Sequence, residues 1–227
     1  MSNKNNTAKK VAGEHAASLI ENGMQVGLGS GTTAAYFIKA LAARCRAGLQ
    51  ITAIPTSKAS QRLAKSLGIP LCSYENSTSV SITVDGADEI DHQKNMIKGG
   101  GGALLREKIL AYASDQLVII IDESKLVPQL GHFPLPLEVV PFLYQSTLAR
   151  LRKDGYHGDM RRTKEGRFYL TDNGNYIFDI TFPKLIADPI KEHIRLKNVL
   201  GVVETGLFFN VAKRVIIGYE NGSIGNI

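Results

Sequence analysis

Five short runs in this sequence gather residues able to hold anions, move protons or neutralise charge: GSGTT (29–33), PTSK (55–58), DGADEID (85–91), KGGGG (98–102) and DESK (122–125). The first belongs to GLGSGTT, Gly27 to Thr33, which reads as a strand end, a glycine turn and a helix start. Glycines there let backbone amides approach an anion, the hydroxyls of Ser30, Thr32 and Thr33 donate hydrogen bonds, and the helix N-terminus adds partial positive charge. Two nucleotide readings fit poorly. A P-loop ends in Gly-Lys-Ser/Thr, and no lysine stands there. A dinucleotide turn wants a third glycine where Thr32 stands and an acid about 20 residues further on, but Ile51 to Ser57 holds none. A single phosphate monoester is the better fit. A glycine turn that binds nothing is the simpler alternative.

Asp85 and Asp88 stand three apart in a loop, followed by Glu89 and Asp91. Such a group could bind a divalent metal, cap backbone amides or accept hydrogen bonds from sugar hydroxyls. Lys98, from the next strand end, would neutralise these acids or stabilise a developing oxyanion. Glu107 lies in GALLREKILAYAS, Gly102 to Ser114, a helix opened by the glycine run. Its neighbours three and four positions away are Ala103, Leu104, Leu110 and Ala111, so the acid belongs to the buried side of that helix. Desolvation there raises a carboxylate pKa, toward the ~6 to 7 that suits a base working near neutrality. A Glu that merely pairs with a lysine such as Lys98 is the competing reading.

The elements that must position these runs alternate in the first half. β-branched runs at Gln25–Leu28, Ile51–Ile54, Val80–Val84 and Leu117–Ile121 are separated by helical patterns. One has Ala34, Phe37, Ile38, Leu41, Ala42 and Cys45 at helical spacing, and a second runs from about Ser57 to Leu67, stopped by Gly68. This is the texture of a parallel sheet with crossover helices. Ligands gather outside the carboxyl ends of such strands. With Met96-Ile97 taken as a further strand, all five runs are expected around one crevice. The texture changes near Gly131: HFPLPLEVVPF is followed by a helix over Tyr144–Lys153 and short alternating segments around Arg167–Leu170 and Tyr176–Thr181. TDNGN between the last two signals a hairpin turn, and a helix from Pro189 leads to a strand at Val202–Thr205.

Several classes are disfavoured. No apolar run approaches the ~18 to 20 residues of a membrane span, and the polar stretch Met1–Lys10 is not followed by a secretory pattern. The two cysteines, Cys45 and Cys72, suggest neither a disulfide framework nor a zinc site, and fit a reducing cytoplasm. The net charge of +6 is scattered. Its densest cluster, Arg161-Arg162-Thr163-Lys164, reads as solvated surface that favours anionic small molecules rather than nucleic acid.

Taken in order, GLGSGTTAAYF, PTSKAS, TVDGADEID, KGGGGALLREKI, DESK, GHFPLPLEVVPF, TDNGNYIFD and GVVETGLF resemble the type A ribose-5-phosphate isomerase family over about Ala8 to Gly218. The resemblance implies an α/β fold: a Rossmann-like parallel-sheet domain (residues 1–130 and 207–227) with a smaller inserted α+β domain, an antiparallel ferredoxin-like sheet, at 131–206. It implies a phosphate loop at Ser30, Gly31, Thr32 and Thr33, assisted by Lys9 and Lys125. Asp85 and Asp88, with Gly86 and Ala87 between them, would hold sugar hydroxyls and help open the ring. Lys98, with Gly99, Gly100 and Gly101, would contact the sugar, and Glu107 would transfer the proton. Ser30 and Thr32 stand where some members carry Thr then Ser, and Gly102 where alanine is common.

The activity so implied is interconversion of D-ribose 5-phosphate and D-ribulose 5-phosphate through an enediolate, without cofactor or metal, by a cytoplasmic homodimer or homotetramer. Two rivals are an amino-sugar-phosphate deaminase and a sugar-phosphate sensor. The first usually recruits a histidine, and the nearest, His92, lies just outside the five runs. A sensor of this type tends to carry a helix-turn-helix domain, for which the residues before the first strand are too few.

Overall fold

A strand such as Leu117–Asp122 (LVIIID), apolar up to its last residue and buried at all six, needs cover on both faces, which parallel sheets with crossover helices supply. The computed structural model, which describes residues 3–73, 75, 77 and 79–227, builds that sheet from β1 (Gln25–Leu28), β2 (Thr52–Pro55), β3 (Ile82–Asp85), β6 (Leu117–Asp122), β12 (Ala212–Gly218) and β13 (Ile224–Asn226). The order is β13-β12-β6-β3-β1-β2, parallel except for β13. The chain therefore winds outward in both directions from β1 and β3. That reversal is a topological switch point, where connections leave the sheet on opposite faces and a crevice opens at the strand ends.

Helices α1 (Asn3–Ser18), α2 (Gly31–Arg46) and α3 (Lys58–Ser66) accompany this sheet. Ala12, Ala16, Ile20, Val26, Leu28, Phe37, Ile38, Leu41, Val84 and Ile120 share its main core. Lys9 and its neighbours thus belong to a helix. Small residues let α1 approach α2: a Cβ on Gly13 would lie 2.6 Å from the backbone nitrogen of Phe37. Ser57 caps α3 through a reciprocal pair with Ser60, and Gly68, at φ +76°, follows its end.

The chain divides into two compact units, 1–87 with 106–126 and 211–227, and 88–105 with 127–210. In the second, β7 (Leu135–Val139), α5 (Tyr144–Lys153), β8 (His157–Met160), β9 (Tyr176–Thr181), α6 (Pro189–Lys197) and β10 (Val202–Thr205) run β-α-β-β-α-β, with sheet order β10-β7-β9-β8. All its pairs are antiparallel, the ferredoxin-like arrangement. Leu135, Leu137, Val139, Leu148, Leu151, Phe178 and Leu196 fill its core.

Two expectations are corrected here. Met96-Ile97 is not part of the parallel sheet: as β5 it pairs antiparallel with β4 (Glu89–Ile90) and β11 (Leu207–Phe208). Only four of the five runs therefore end strands of the large sheet. This pairing also explains why 88–105 groups with the second unit, whereas the expected first domain runs unbroken to 130. Arg167–Leu170 makes only isolated bridges; the strands paired with β9 are β7 and β8.

Candidate active site

In the first unit the strand ends of β1 and β3 are tied together by a carboxylate. Asp85, 1% exposed, accepts at Oδ1 the backbone N–H of Ser30 (2.9 Å) and of its own neighbour Gly86 (2.8 Å). Ser30 is the N-cap of α2, yet its side chain makes no capping bond. Its Oγ instead bonds Thr56 Oγ1 and Ser57 Oγ, each at 2.8 Å, at the end of β2. Gly31 adopts φ +91°, and both it and Thr32 are exposed. The first turn of α2 carries no acid, so its N-terminal amides retain their pull on an anion.

At the end of β6, Asp122 is 1% exposed and accepts the N–H of Ser124, starting a single 3-10 turn, Glu123–Lys125. Lys9 Nζ stands 3.9 Å from Asp122 Oδ2, and the Lys9 side chain is 16% exposed. Lys125 is half-buried. Helix α4 (Leu104–Tyr112) places Glu107 on its buried stripe with Leu104, Leu110 and Ala111; Glu107 is 5% exposed. The periodicity of the sequence had pointed to that side.

The second unit holds the remaining expected residues. Asp88 Oδ2 accepts the Gly100 N–H at 2.7 Å. Lys98 is 2% exposed, its N–H bonded to the Gly206 carbonyl (2.8 Å) and its ammonium 5.5 Å from the centre of the Phe208 ring. Gly99 (φ +101°) and Gly102 (φ +76°) bend the loop between β5 and α4. The other acids of DGADEID hold backbone. Glu89 accepts the N–H groups of Gly131 and Phe133, and Asp91 those of Gln93 and Asn95. Among the described residues no group of three or more His, Cys, Asp or Glu side chains is placed to hold a metal ion.

Arg161 belongs to the cluster expected at the solvated surface, yet its side chain is only 15% exposed. It forks onto Asp179 and donates to the carbonyls of Gly99 and Gly100. Thr56, Ser57, Asp122 and Tyr169 were likewise outside the expected site, although the first three lie in runs the sequence had marked.

The family model for ribose 5-phosphate isomerase A (phosphoriboisomerase A) matches residues 52–222. Ribose-5-phosphate isomerase A of Protochlamydia amoebophila is 53% identical over 215 residues, 95% of this chain and 93% of that protein. This chain belongs to the ribose-5-phosphate isomerase A family. The family interconverts ribose 5-phosphate and ribulose 5-phosphate, and the chain is accordingly an isomerase. Its fold is that of the family: ribose 5-phosphate isomerase A of Methanocaldococcus jannaschii superposes with a TM-score of 0.90 at 38% identity, covering 96% of this chain and 97% of that one. A D-ribose-5-phosphate isomerase solved with phospho-erythronic acid superposes with a TM-score of 0.91 at 37% identity, covering 96% of each. Among the described residues no helix is long and apolar enough to cross a membrane.

Proposed function

We propose that the chain interconverts D-ribose 5-phosphate and D-ribulose 5-phosphate by proton transfer through Glu107. The observation that carries this mechanism is a carboxylate 5% exposed on a helix that follows a glycine loop. The substrate phosphate docks on the N-terminus of α2 at Ser30, Gly31, Thr32 and Thr33, with Lys9 and Lys125 supplying positive charge. A structural relative was solved with phospho-erythronic acid, a phosphorylated acid, which fits a site for a small phosphorylated molecule. Asp85 and Asp88, with Gly86 and Ala87, hold the sugar hydroxyls and assist ring opening.

Glu107 then removes the proton from C2 of the open aldose, and negative charge develops on O1. Lys98 and the Gly101 amide of the Gly99–Gly101 loop stabilise that oxygen, while the Gly100 amide stays on Asp88. The O2 proton passes to O1, Glu107 returns its proton to C1, and the ketose carbonyl forms at C2. No redox partner is consumed. The same reading makes the enzyme metal-independent and places it in the cytoplasm as a homodimer or homotetramer.

The test is conversion of ribose 5-phosphate by the purified protein in EDTA, with Glu107→Gln alongside. Rapid conversion by the wild type and loss in the variant are expected. No conversion by a folded wild type that binds the sugar phosphate would sink the proposal in favour of a sensor.

A further inference from the structure

The glycine loop that follows Lys98 is gripped from one side by the segment that follows β8. Arg161 Nη1 donates to the carbonyls of Gly99 (2.9 Å) and Gly100 (3.0 Å). The hydroxyl of Tyr169 donates to the carbonyl of Gly101 at 3.0 Å. Three successive carbonyls of a loop without side chains are thus held by two side chains 60 and more positions away in sequence. Arg161 is itself fixed: its Nε donates to Asp179 Oδ2 at 2.8 Å and its Nη2 to Oδ1, a two-point fork that orients the guanidinium plane. The Tyr169 ring lies 5.9 Å from the guanidinium carbon. It also fills the space a side chain on Gly102 would need, since a Cβ there would meet the ring at 2.4 Å.

A trans peptide is planar, with its N–H pointing opposite to its C=O. Holding a carbonyl therefore aims the amide behind it. The Gly99 carbonyl shares its peptide with the Gly100 N–H, which reaches Asp88 Oδ2 at 2.7 Å. The Gly100 carbonyl shares its peptide with the Gly101 N–H, which is consequently turned away from Arg161. Gly101 is exposed, and a Cβ added to it would meet nothing within 4 Å.

We propose that Arg161, oriented by Asp179 and seconded by Tyr169, is a positioning residue that aims the Gly100 and Gly101 amides for the isomerisation. Arg161 does not touch the sugar. It acts through the loop, keeping one amide on Asp88 and presenting the next to the oxygen on which charge develops. The positive φ values of Gly99 and Gly102 suit glycine, and the Gly102 N–H closes the loop on the Gly99 carbonyl at 2.8 Å; Arg161 and Tyr169 add an external grip to that turn. A preorganised donor stabilises a developing anion without reorganising during the reaction. The inference rests on the proposed contact between the Lys98–Gly101 loop and the substrate.

Arg161→Met, Arg161→Lys and Tyr169→Phe test it in the full-length protein by steady-state kinetics and thermal melting, with Lys98→Met run beside them. Arg161→Met is expected to lower kcat roughly 10- to 100-fold while KM moves by less than about threefold, the signature of a group that acts in the transition state. Arg161→Lys is expected to recover little, because an ammonium cannot hold a carboxylate fork and two carbonyls together. Wild-type kcat in folded Arg161→Met would overturn the proposal. So would a kcat loss that vanishes well below the variant's melting temperature, which would mark a purely structural role. If Arg161→Met does not fold, Tyr169→Phe decides: a roughly 3- to 10-fold loss in kcat is expected from removing one grip, and unchanged kcat overturns it. Full turnover by Lys98→Met would instead remove the loop's contact with substrate, and the inference with it. An inactive Lys98→Met beside fully active Arg161 variants would overturn the inference alone.

Discussion

Asp85 Oδ1 accepts the backbone N–H of Ser30 at 2.9 Å, joining the ends of two neighbouring parallel strands at the switch point of the sheet. The carboxylate fits because Gly29 has no side chain. A Cβ on Gly29 would lie 2.1 Å from Asp85 Oδ1 and 2.5 Å from its Cα. The turn at the start of α2, the proposed phosphate loop, is therefore braced by an acid that accepts the backbone N–H groups of Ser30 and Gly86.

Gly29→Ala should displace either Asp85 or the turn. Overpacking of this kind costs roughly 1 to 3 kcal/mol. We expect a lowered melting temperature and a KM for ribose 5-phosphate raised by about tenfold or more. A variant with wild-type KM would show that the brace does not shape the phosphate loop.

Glu107→Gln keeps the shape of a side chain that is 5% exposed and removes its ability to take a proton. A positioned base contributes typically ~100 to 10,000-fold, so kcat should fall by at least about 100-fold. Substrate affinity, read by calorimetry, should change little. Exchange of the C2 proton with solvent deuterium should be lost in parallel with turnover; exchange at the wild-type rate would assign the base elsewhere.

Glu138 is fully buried in β7, and its Oε1 accepts from Thr171 Oγ1 (3.0 Å), Asn173 Nδ2 (3.2 Å) and Asn175 Nδ2 (2.8 Å). One carboxylate thus pins the turn between the hairpin arms. Glu138→Ala strands these donors, and unmet buried polar groups cost about 1 to 3 kcal/mol each. Urea unfolding should show a loss of roughly 2 to 5 kcal/mol, since the outermost donors regain water. A loss under about 1 kcal/mol would mean the turn holds itself.

Burial pushes the Tyr156 hydroxyl well above the ordinary tyrosine range, and its hydrogen bond to the Glu192 carboxylate adds to the shift. The folded state therefore keeps this proton where the unfolded chain, titrating near pH ~10, has lost it. The stabilisation is complete below that pH and declines as pH rises above it. Urea midpoints of the wild type should fall between about pH 10 and 11.5 more steeply than those of Tyr156→Phe, which has nothing to titrate there. Parallel slopes would show that the hydroxyl is not held.

Periodicity in the sequence determined the α/β alternation, placed α5 and α6 at Tyr144–Lys153 and from Pro189, and put Glu107 on a buried helix face. Those features depend on neighbours within a few positions, which local order encodes. The ordered motifs likewise determined the family. Polar side chains at strand ends and in loops had no such guide. Asp85 and Glu89 come from one run of acids, yet one holds the α2 turn and the other holds amides 42 and 44 residues away. Arg161, in a cluster that looked like solvated surface, turned inward to carbonyls 61 and 62 residues away, and Met96-Ile97 paired with Leu207-Phe208 rather than with the large sheet. Only the tertiary structure decided these, because a residue at a strand end or in a loop takes the hydrogen-bond partner that folding brings within about 3 Å, and no local pattern records that partner.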